Sequence, residues 1–155
     1  MKIVVDTNIV FSAILNTQSR IGQILINGSE YFDYYSVGLL KHEIIKHKLK
    51  ILKTTGYSEL NFNEIFEIIS NKIRFIDDVI ISNNDLTKAI KIVSNIDNND
   101  ALFVALTNHL NARLWTGDKK LYEGLEMKEY TKIISTEKIY KLYLQKELKS
   151  KSKKK

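Results

Sequence analysis

The sequence predicts an α/β fold in which helices cover both faces of a central, mainly parallel sheet. The run Ile3-Val4-Val5 is β-branched and lacks polar alternation, as expected for a strand that is buried on both faces of such a sheet. Segments of helical periodicity then alternate with short apolar segments along the chain. Together these observations predict repeated strand–helix–strand crossovers within one sheet.

The first half of the chain contains two predicted strands and four predicted helices. The second helix is expected to stop at Asn27-Gly28, a favourable pair for a left-handed helix end. Leu40, Ile44 and Ile51 recur at helical spacing and predict one long amphipathic helix. The expected elements are strands at 3–5 and 31–38 and helices at 8–15, 20–27, 39–52 and 62–73.

The second half continues the alternation. Residues 74–82, RFIDDVIIS, fit either a strand or a loop. The segment NDALFVALTNHL is apolar over most of its surface, so this helix belongs in the interior. The other expected elements are a helix capped by Asn84 that runs through Val93, the start of the apolar helix at Asp97 or Asn98, strands at 114–116 and 133–135, and a helix at 137–148.

Length and composition predict one globular domain. The 155 residues are enough for a single substantial core, and 44% hydrophobic with 27% charged residues is ordinary for a folded protein. No apolar run approaches the roughly 20 residues that cross a bilayer, and the N-terminus lacks signal-peptide features, so we expect a cytoplasmic protein without a membrane partner. The absence of cysteine excludes disulfide scaffolds and cysteine-ligated metal sites.

The basic charge is concentrated at the C-terminus. The formal net charge is +6, and the last seven residues, KSKSKKK, contain five lysines, so the rest of the chain carries only +1. We expect residues 1–143 to form the domain, and residues 144–155 to comprise the end of the last helix and a solvated, disordered basic tail. Such a tail fits either an electrostatic contact with RNA, DNA or a membrane surface, or a solubilising segment without a partner.

Acidic residues follow two of the predicted strands. Asp6 comes directly after the first strand, and Asp118 follows the strand at 114–116. Functional groups of an open parallel sheet collect beyond the carboxyl ends of its strands, so we expect both carboxylates in one crevice. Thr116 lies beside the second carboxylate, and Gly117 permits a tight exit from the strand.

Three further acidic residues are candidates for the same crevice. Asp97 and Asp100 are three residues apart at the start of a predicted helix, so their side chains lie on nearly the same face. They fit either a pair of oxygen ligands or a cap of the helix N-terminus. Glu43 stacks over the apolar first turn of its helix, at Leu39 and Leu40, and fits either a functional or a solvated side chain.

Clustered carboxylates predict a hard cation. Without basic partners they would repel one another, and burial would raise their pKa values unless a cation compensated. Carboxylate and water oxygens suit Mg²⁺ or Mn²⁺, which can orient a phosphodiester and stabilise its leaving oxygen, so the cluster favours a nuclease. The chain has no Gly-rich dinucleotide motif and no phosphate loop, and His42 and His47 are not spaced as a helical zinc pair.

Four segments carry a more specific signal: IVVDTNIVFSAIL, SVGLLKHEI, DNNDALFVALT and RLWTGDKKL. In this order they resemble the opening strand and helix, the serine-to-glutamate segment, and the third and final acidic motifs of the PIN domain family, the small nuclease fold found in VapC-type toxin–antitoxin ribonucleases. Each motif alone is weak, whereas their order and spacing together are specific. The resemblance covers most of residues 1–143 and implies a three-layer α/β/α sandwich.

The resemblance also implies site residues, cofactor and partners. It implies an acidic catalytic quartet around Mg²⁺ or Mn²⁺ formed by Asp6, Glu43, Asp100 and Asp118, with supporting positions at Asn8, Asp97 and Thr116. The implied activity is hydrolysis of RNA to a 3′-hydroxyl and a 5′-phosphate by the toxin half of a toxin–antitoxin pair. The implied partners are an RNA substrate, a cognate antitoxin protein and a second copy of the chain.

The sequence departs from the family pattern in two places and leaves alternatives open. Gly38 and Leu102 stand where the family often has proline, which affects local rigidity rather than metal oxygens. Residues 54–84 match only in their helical character. A DNA-directed or structure-specific nuclease with the same centre stays open, as does a non-catalytic PIN-like module that binds RNA or protein. A phosphoacceptor domain of receiver type fits less well, because the motif DTN supplies only one acid after the first strand.

Overall fold

A parallel five-stranded sheet forms the centre of the computed structural model, which describes residues 1–154. The strands are β1 (Lys2–Val5), β2 (Asp33–Val37), β3 (Ile73–Ile76), β4 (Arg113–Trp115) and β5 (Ile133–Ile134). Their order in the sheet is β3-β2-β1-β4-β5, and all neighbouring strands are parallel. Val4 of β1 pairs with Tyr35 on one side and with Leu114 on the other, so β1 is the central strand.

Helices cover both faces of the sheet, which confirms the predicted three-layer α/β/α sandwich. The helices are α1 (Thr7–Leu15), α2 (Arg20–Asn27), α3 (Leu39–Lys46), α4 (Lys48–Thr55), α5 (Glu59–Ser70), α6 (Asn83–Val93), α7 (Ala101–Leu110), α8 (Lys119–Met127) and α9 (Thr136–Lys153). Helix α7 packs on β1, β2 and β4 with α6 beside it, whereas α1 packs with α2, α4 and α5. Within the described residues, no helix is both long and apolar enough to cross a bilayer.

The core explains why the first and fourth strands form where they do. Ile3, Val4 and Val5 are completely buried, because helices lie over both of their faces. Trp115 is also completely buried, and its indole Nε1 donates a hydrogen bond of 2.9 Å to Thr136 Oγ1. The buried Tyr34 hydroxyl donates to the carbonyl of Ile24 at 2.7 Å, so both large polar aromatic side chains are satisfied in the interior.

The structure corrects the predicted helix at 39–52, which consists of two helices. His47 separates α3 from α4 with φ −98° and ψ 11°, outside the helical region. Ile44 and Ile51 lie on either side of the break, and both are completely buried. Because the apolar spacing continues across the break, periodicity alone does not detect it.

Two boundaries in the middle of the chain also differ from the prediction. Helix α5 ends at Ser70, three residues before the predicted end, because Ile73 begins β3 and pairs with Tyr34. The ambiguous segment 74–82 contains the rest of this strand, followed by a short 3₁₀ turn at Asp78–Ile80. The cap of α6 is Ser82 rather than Asn84, and its hydroxyl accepts a hydrogen bond from the amide of Asp85 at 3.1 Å.

The C-terminal part contains one helix that was not predicted and one that is longer than predicted. Helix α8 follows directly after Asp118, and α9 continues to Lys153 rather than ending at 148. The segment expected to be a disordered tail is therefore helical as far as Lys153. Lysine is a good helix former, and Lys151 lies 4.0 Å from Glu147 one turn earlier. Lys155 lies outside the described residues, and the domain boundary at residue 143 stays a prediction.

Candidate metal centre

A small cavity at the carboxyl edge of the sheet collects most of the predicted site residues. Its volume is about 160 Å³, and its lining consists of Asp6, Thr7, Asn8, Glu43, Asp97, Asn99, Asp100, Phe103 and Asp118. Six of these were predicted from the sequence. The seventh predicted residue, Thr116, does not line the cavity but lies against Asp6 and Asp118. The site is assembled from the segments that follow β1, β2 and β4 and from the turn before α7.

Asp6 is the most deeply buried acid of the cavity. It ends β1 and caps α1, where its Oδ1 accepts a hydrogen bond of 3.0 Å from the amide of Ile9, and the residue is only 3% exposed. Burial raises the pKa of Asp6 from 3.8 to about 6, and the nearby Asp118 carboxylate adds to the increase. Hydrogen bonds from Thr116 and Ile9 reduce this increase.

Thr116 connects the acids at the ends of the two central strands. The residue is buried, its Oγ1 accepts a hydrogen bond of 3.0 Å from the amide of Asp118, and its side chain also hydrogen-bonds the Asp6 carboxyl group. Asp118 in turn caps α8, because its Oδ1 accepts a hydrogen bond of 3.1 Å from the amide of Leu121. The sequence Thr-Gly-Asp after β4 therefore places one hydroxyl group between the backbone of Asp118 and the carboxyl group of Asp6.

Glu43 reaches the cavity from α3 and is held by α1. The Thr7 hydroxyl donates a hydrogen bond of 3.0 Å to Glu43 Oε1. Glu43 is partly buried, whereas the neighbouring His42 is exposed. The sequence left open whether Glu43 is a functional or a solvated side chain. The structure places it in the lining of the cavity rather than on a solvated face.

Asp97 and Asp100 differ in their environment. Asp97 is exposed and caps the short 3₁₀ turn at Asn98–Asp100, because its Oδ1 accepts a hydrogen bond of 3.0 Å from the amide of Asn99. Asp100 is partly buried, and its Oδ2 is inaccessible to water and lacks a hydrogen-bond partner among the described residues. Burial, followed by the charges of Asp97 and Asp6, raises the pKa of Asp100 to about 7.

The acids face one cavity, but in residues 1–154 no group of three acidic or histidine side chains is arranged to coordinate a metal ion directly. Asp6, Glu43, Asp97 and Asp118 are each bonded to a local donor instead. This arrangement fits a hydrated hard cation, since Mg²⁺ keeps several waters and takes only one or two carboxylates directly. The unpartnered Asp100 Oδ2 and the two raised pKa values mark where such a cation would neutralise charge.

Comparison with known proteins identifies the family. The family model described as PIN domain matches residues 4–140. The chain belongs to the PIN domain family. PIN domains are nucleases and generally use divalent metal ions, and the acidic cavity of this PIN domain has oxygen donors suited to one. No match was found among curated proteins.

Solved structures share the architecture of this PIN domain. One is a crystal structure of VapBC2 from Rickettsia felis bound to a promoter DNA fragment. Its TM-score is 0.64 at 19% identity, and the match covers 87% of this chain and 97% of that chain. PAE2754 from Pyrobaculum aerophilum has a TM-score of 0.63 and 11% identity, covering 94% and 96%. A toxin–antitoxin complex from Klebsiella pneumoniae has a TM-score of 0.57 and 14% identity, covering 86% and 96%. At these identities the likeness shows the common fold.

Three residues of the cavity were missed by the sequence analysis. Thr7, Asn99 and Phe103 all line it. Thr7 stands between Asp6 and Asn8 in the motif DTN, so its place in the motif was the available signal. Phe103 lies in the first turn of α7, which begins directly after Asp100, and it is only 2% exposed. Its burial anchors the start of this helix beside the acids.

Proposed function

We propose that this PIN domain is a Mg²⁺- or Mn²⁺-dependent endoribonuclease and the toxin component of a toxin–antitoxin pair. The observation that carries the proposal is the convergence of Asp6, Glu43, Asp100 and Asp118 on one cavity without a basic partner in its lining. Membership of a nuclease family supports the reaction class. The toxin–antitoxin assemblies among the structural neighbours support a cognate antitoxin as a partner.

The proposed reaction is hydrolysis of an RNA phosphodiester to a 3′-hydroxyl and a 5′-phosphate. A bound divalent cation would orient the phosphate and stabilise the charge that develops on its oxygens. Asp6, Asp100 and Asp118, together with Glu43, would hold this cation directly or through its bound waters. Thr116 keeps Asp6 and Asp118 in place, Thr7 keeps Glu43 in place, and the exposed Asp97 and the nearby Asn8 shape the rim of the cavity. The protein acts in the cytoplasm and as a homodimer in this proposal.

The test compares wild type, Asp6→Asn and the matched control Asp33→Asn, a change of an exposed carboxylate at the opposite end of the strands. Each protein is incubated with a mixed RNA pool and with matched DNA, in Mg²⁺, in Mn²⁺ and in chelator. The expected result is metal-dependent RNA cleavage by wild type and by Asp33→Asn that Asp6→Asn loses.

Two results would support the other functions that the sequence left open. Preferential cleavage of the DNA would indicate a DNA-directed nuclease, since carboxylates and a metal do not read the sugar. RNA binding without cleavage, unchanged by chelator and by Asp118→Asn, would indicate a non-catalytic module. Metal titration by calorimetry separates this second outcome from a nuclease whose substrate is absent from the pool.

A further inference from the structure

The amino edge of the sheet, at the opposite end of the strands from the acidic cavity, carries a row of cations. Four of the five strands begin at or directly after a basic residue; in sheet order these are Lys72 before β3, Lys2 in β1, Arg113 in β4 and Lys132 before β5. The remaining strand, β2, begins with Asp33. Neighbouring strands are ~4.8 Å apart, so the row from β3 to β5 extends over about 19 Å.

Helix α9 brings more cations to the same edge. It begins at the carboxyl edge, where Thr136 accepts the hydrogen bond from Trp115 at the end of β4. It then runs antiparallel to the strands, because the Tyr31 hydroxyl, two residues before β2, donates a hydrogen bond of 3.0 Å to Glu147 Oε1. The rings of Tyr31 and Tyr143 are 6.0 Å apart and fix this course of the helix.

Beyond Glu147 there are four exposed lysines: Lys149, Lys151 and Lys153 in the helix, and Lys154 as its C-cap. At 1.5 Å per residue, this segment continues about 10 Å past Glu147. Together with Lys2, Lys72, Arg113 and Lys132, these lysines form what we term the amino-edge basic surface. Glu30, Asp33, Glu129 and Glu147 lie in the adjoining segments, and Glu147 is 4.0 Å from Lys151, but these four acids do not balance the eight cations.

We propose that the amino-edge basic surface binds the phosphate backbone of RNA as a second, non-catalytic contact of the chain. The choice of RNA as the ligand rests on the proposed function. The cations are spread along a line and do not converge on a pocket, an arrangement that suits a linear polyanion rather than a single small anion. Lys2 and Arg113 lie on strands of the sheet, and the four lysines after Glu147 continue the line beyond the packed part of α9.

The charge of the opposite edge supplies a second reason. Asp6, Asp77, Asp78, Asp97 and Asp118 lie at or just beyond the carboxyl ends of the strands and would repel a phosphate backbone. A bound divalent cation offsets only part of this repulsion. Lys119 and Lys120, which follow Asp118, lessen this repulsion, and the amino-edge basic surface adds cations that lie away from the carboxylates while the cleavage site stays at the carboxyl edge.

The test measures binding of a fluorescent single-stranded RNA by anisotropy at several salt concentrations, with chelator present so that no cleavage occurs. One variant changes Lys149, Lys151, Lys153 and Lys154 to Gln, and a second changes Lys2, Arg113 and Lys132 to Gln. The matched control changes Lys46, Lys53, Lys88 and Lys91, which are exposed on α3, α4 and α6, to Gln. Gln keeps a high helix propensity, and circular dichroism checks that each variant is folded.

We expect both edge variants to weaken RNA binding by about tenfold or more near 0.1 M salt, and the control to stay within about twofold of wild type. Each phosphate contact contributes about 0.7 to the slope of log affinity against log salt, so the four-lysine variant would lose up to about 3 from that slope. Cleavage of a long RNA by this variant would show a raised KM with an unchanged kcat.

Three results would overturn the proposal. One is an equal loss of affinity in the control variant, which would show a general effect of net charge. Another is unchanged RNA binding in both edge variants. The third is tighter binding to duplex DNA or to anionic lipid vesicles than to RNA. Binding is measured in chelator and nuclease activity in metal, so the two proposals are tested separately. None of these three results contradicts the proposed nuclease activity, and a lack of cleavage does not change the interpretation of the binding data.

Discussion

Thr7 and Glu43 are joined by a hydrogen bond of 3.0 Å between the first turn of α1 and the middle of α3. The bond links the segment after β1 to the segment after β2, which lie side by side in the sheet. Thr7 was not predicted as a site residue, but this bond makes it the residue that positions Glu43, which was predicted.

Replacement of Thr7 by Val should reduce RNA cleavage by roughly tenfold, because the loss of one hydrogen bond to a carboxylate, worth about 1.5 kcal/mol, leaves Glu43 free to rotate away from the cavity. Thr7→Ser keeps the hydroxyl and should retain most of the activity. Single-turnover kinetics at saturating RNA measure both. Equal rates for Thr7→Val and wild type would contradict the positioning role.

Asp100→Asn should stabilise the metal-free protein above neutral pH. Burial raises the pKa of Asp100 in the folded state to about 7, whereas the unfolded value is near 3.8. Between these values the folded state holds more protons than the unfolded state, so the contribution of Asp100 to stability falls as the pH rises from about 4 to about 7. Asn does not ionise, and the variant escapes this loss.

The expected gain in unfolding free energy for Asp100→Asn is about 1–2 kcal/mol at pH 8. This is less than the free energy equivalent to the whole pKa shift, because the side chain is partly exposed and solvent screens its charge. The gain should vanish near pH 4. Urea unfolding in chelator at both pH values measures it, with Asp33→Asn as the control that changes an exposed carboxylate. An equal gain in the control, or a gain that persists at pH 4, would argue against the buried, unpartnered Asp100 oxygen as its source.

Mg²⁺ or Mn²⁺ should raise the melting temperature of wild type more at pH 7.5 than at pH 5.5. Asp6 and Asp100 have pKa values raised to about 6 and about 7, and both must lose a proton to bind a cation. A cation at 100 times its Kd adds about 2.7 kcal/mol of stability. Thermal unfolding with and without metal tests this, and an unchanged metal effect in Asp6→Asn would place the cation elsewhere.

Gly22 and Gly38 should respond in opposite ways to alanine. A Cβ on Gly22 would lie 2.8 Å from the carbonyl oxygen of Asn16 and against the backbone of Thr17, so Gly22→Ala should destabilise the fold by about 2 kcal/mol or more. A Cβ on Gly38 meets nothing within 4 Å, and Gly38 has φ −59°, so Gly38→Ala should add about 0.4–1 kcal/mol. Denaturant titration of both variants measures the difference, and similar stabilities would contradict the packing of α2 against the loop before it.

The sequence predicts those parts of the fold that depend on local pattern. The buried run at 3–5 has no polar alternation, and the structure places β1 at Lys2–Val5. Asp6 and Asp118 meet as expected, because β1 pairs directly with β4 and each acid follows its strand. Right-handed crossovers in a parallel sheet leave few other arrangements.

Features that depend on tertiary contacts are not predicted. The break at His47 leaves Ile44 and Ile51 equally buried, so the apolar spacing does not reveal it. Helix α8 presents only Leu121 and Leu125 as fully buried residues, too few for a clear periodic signal. The bond from Thr7 to Glu43 joins residues 36 positions apart, and no local pattern indicates such a partner.

The central position of β1 has a consequence for synthesis of the protein. Asp6 is made well before the strand that supplies its neighbour, because β2, β3 and most of the helices lie between β1 and β4 in the chain. The acidic cavity is incomplete until Asp118 has emerged, so an unfinished chain lacks one of its carboxylates. A cell that makes this protein therefore meets its proposed nuclease activity only after β4 and Asp118 have been made and have folded against β1, and an inhibitory partner is not needed before that point.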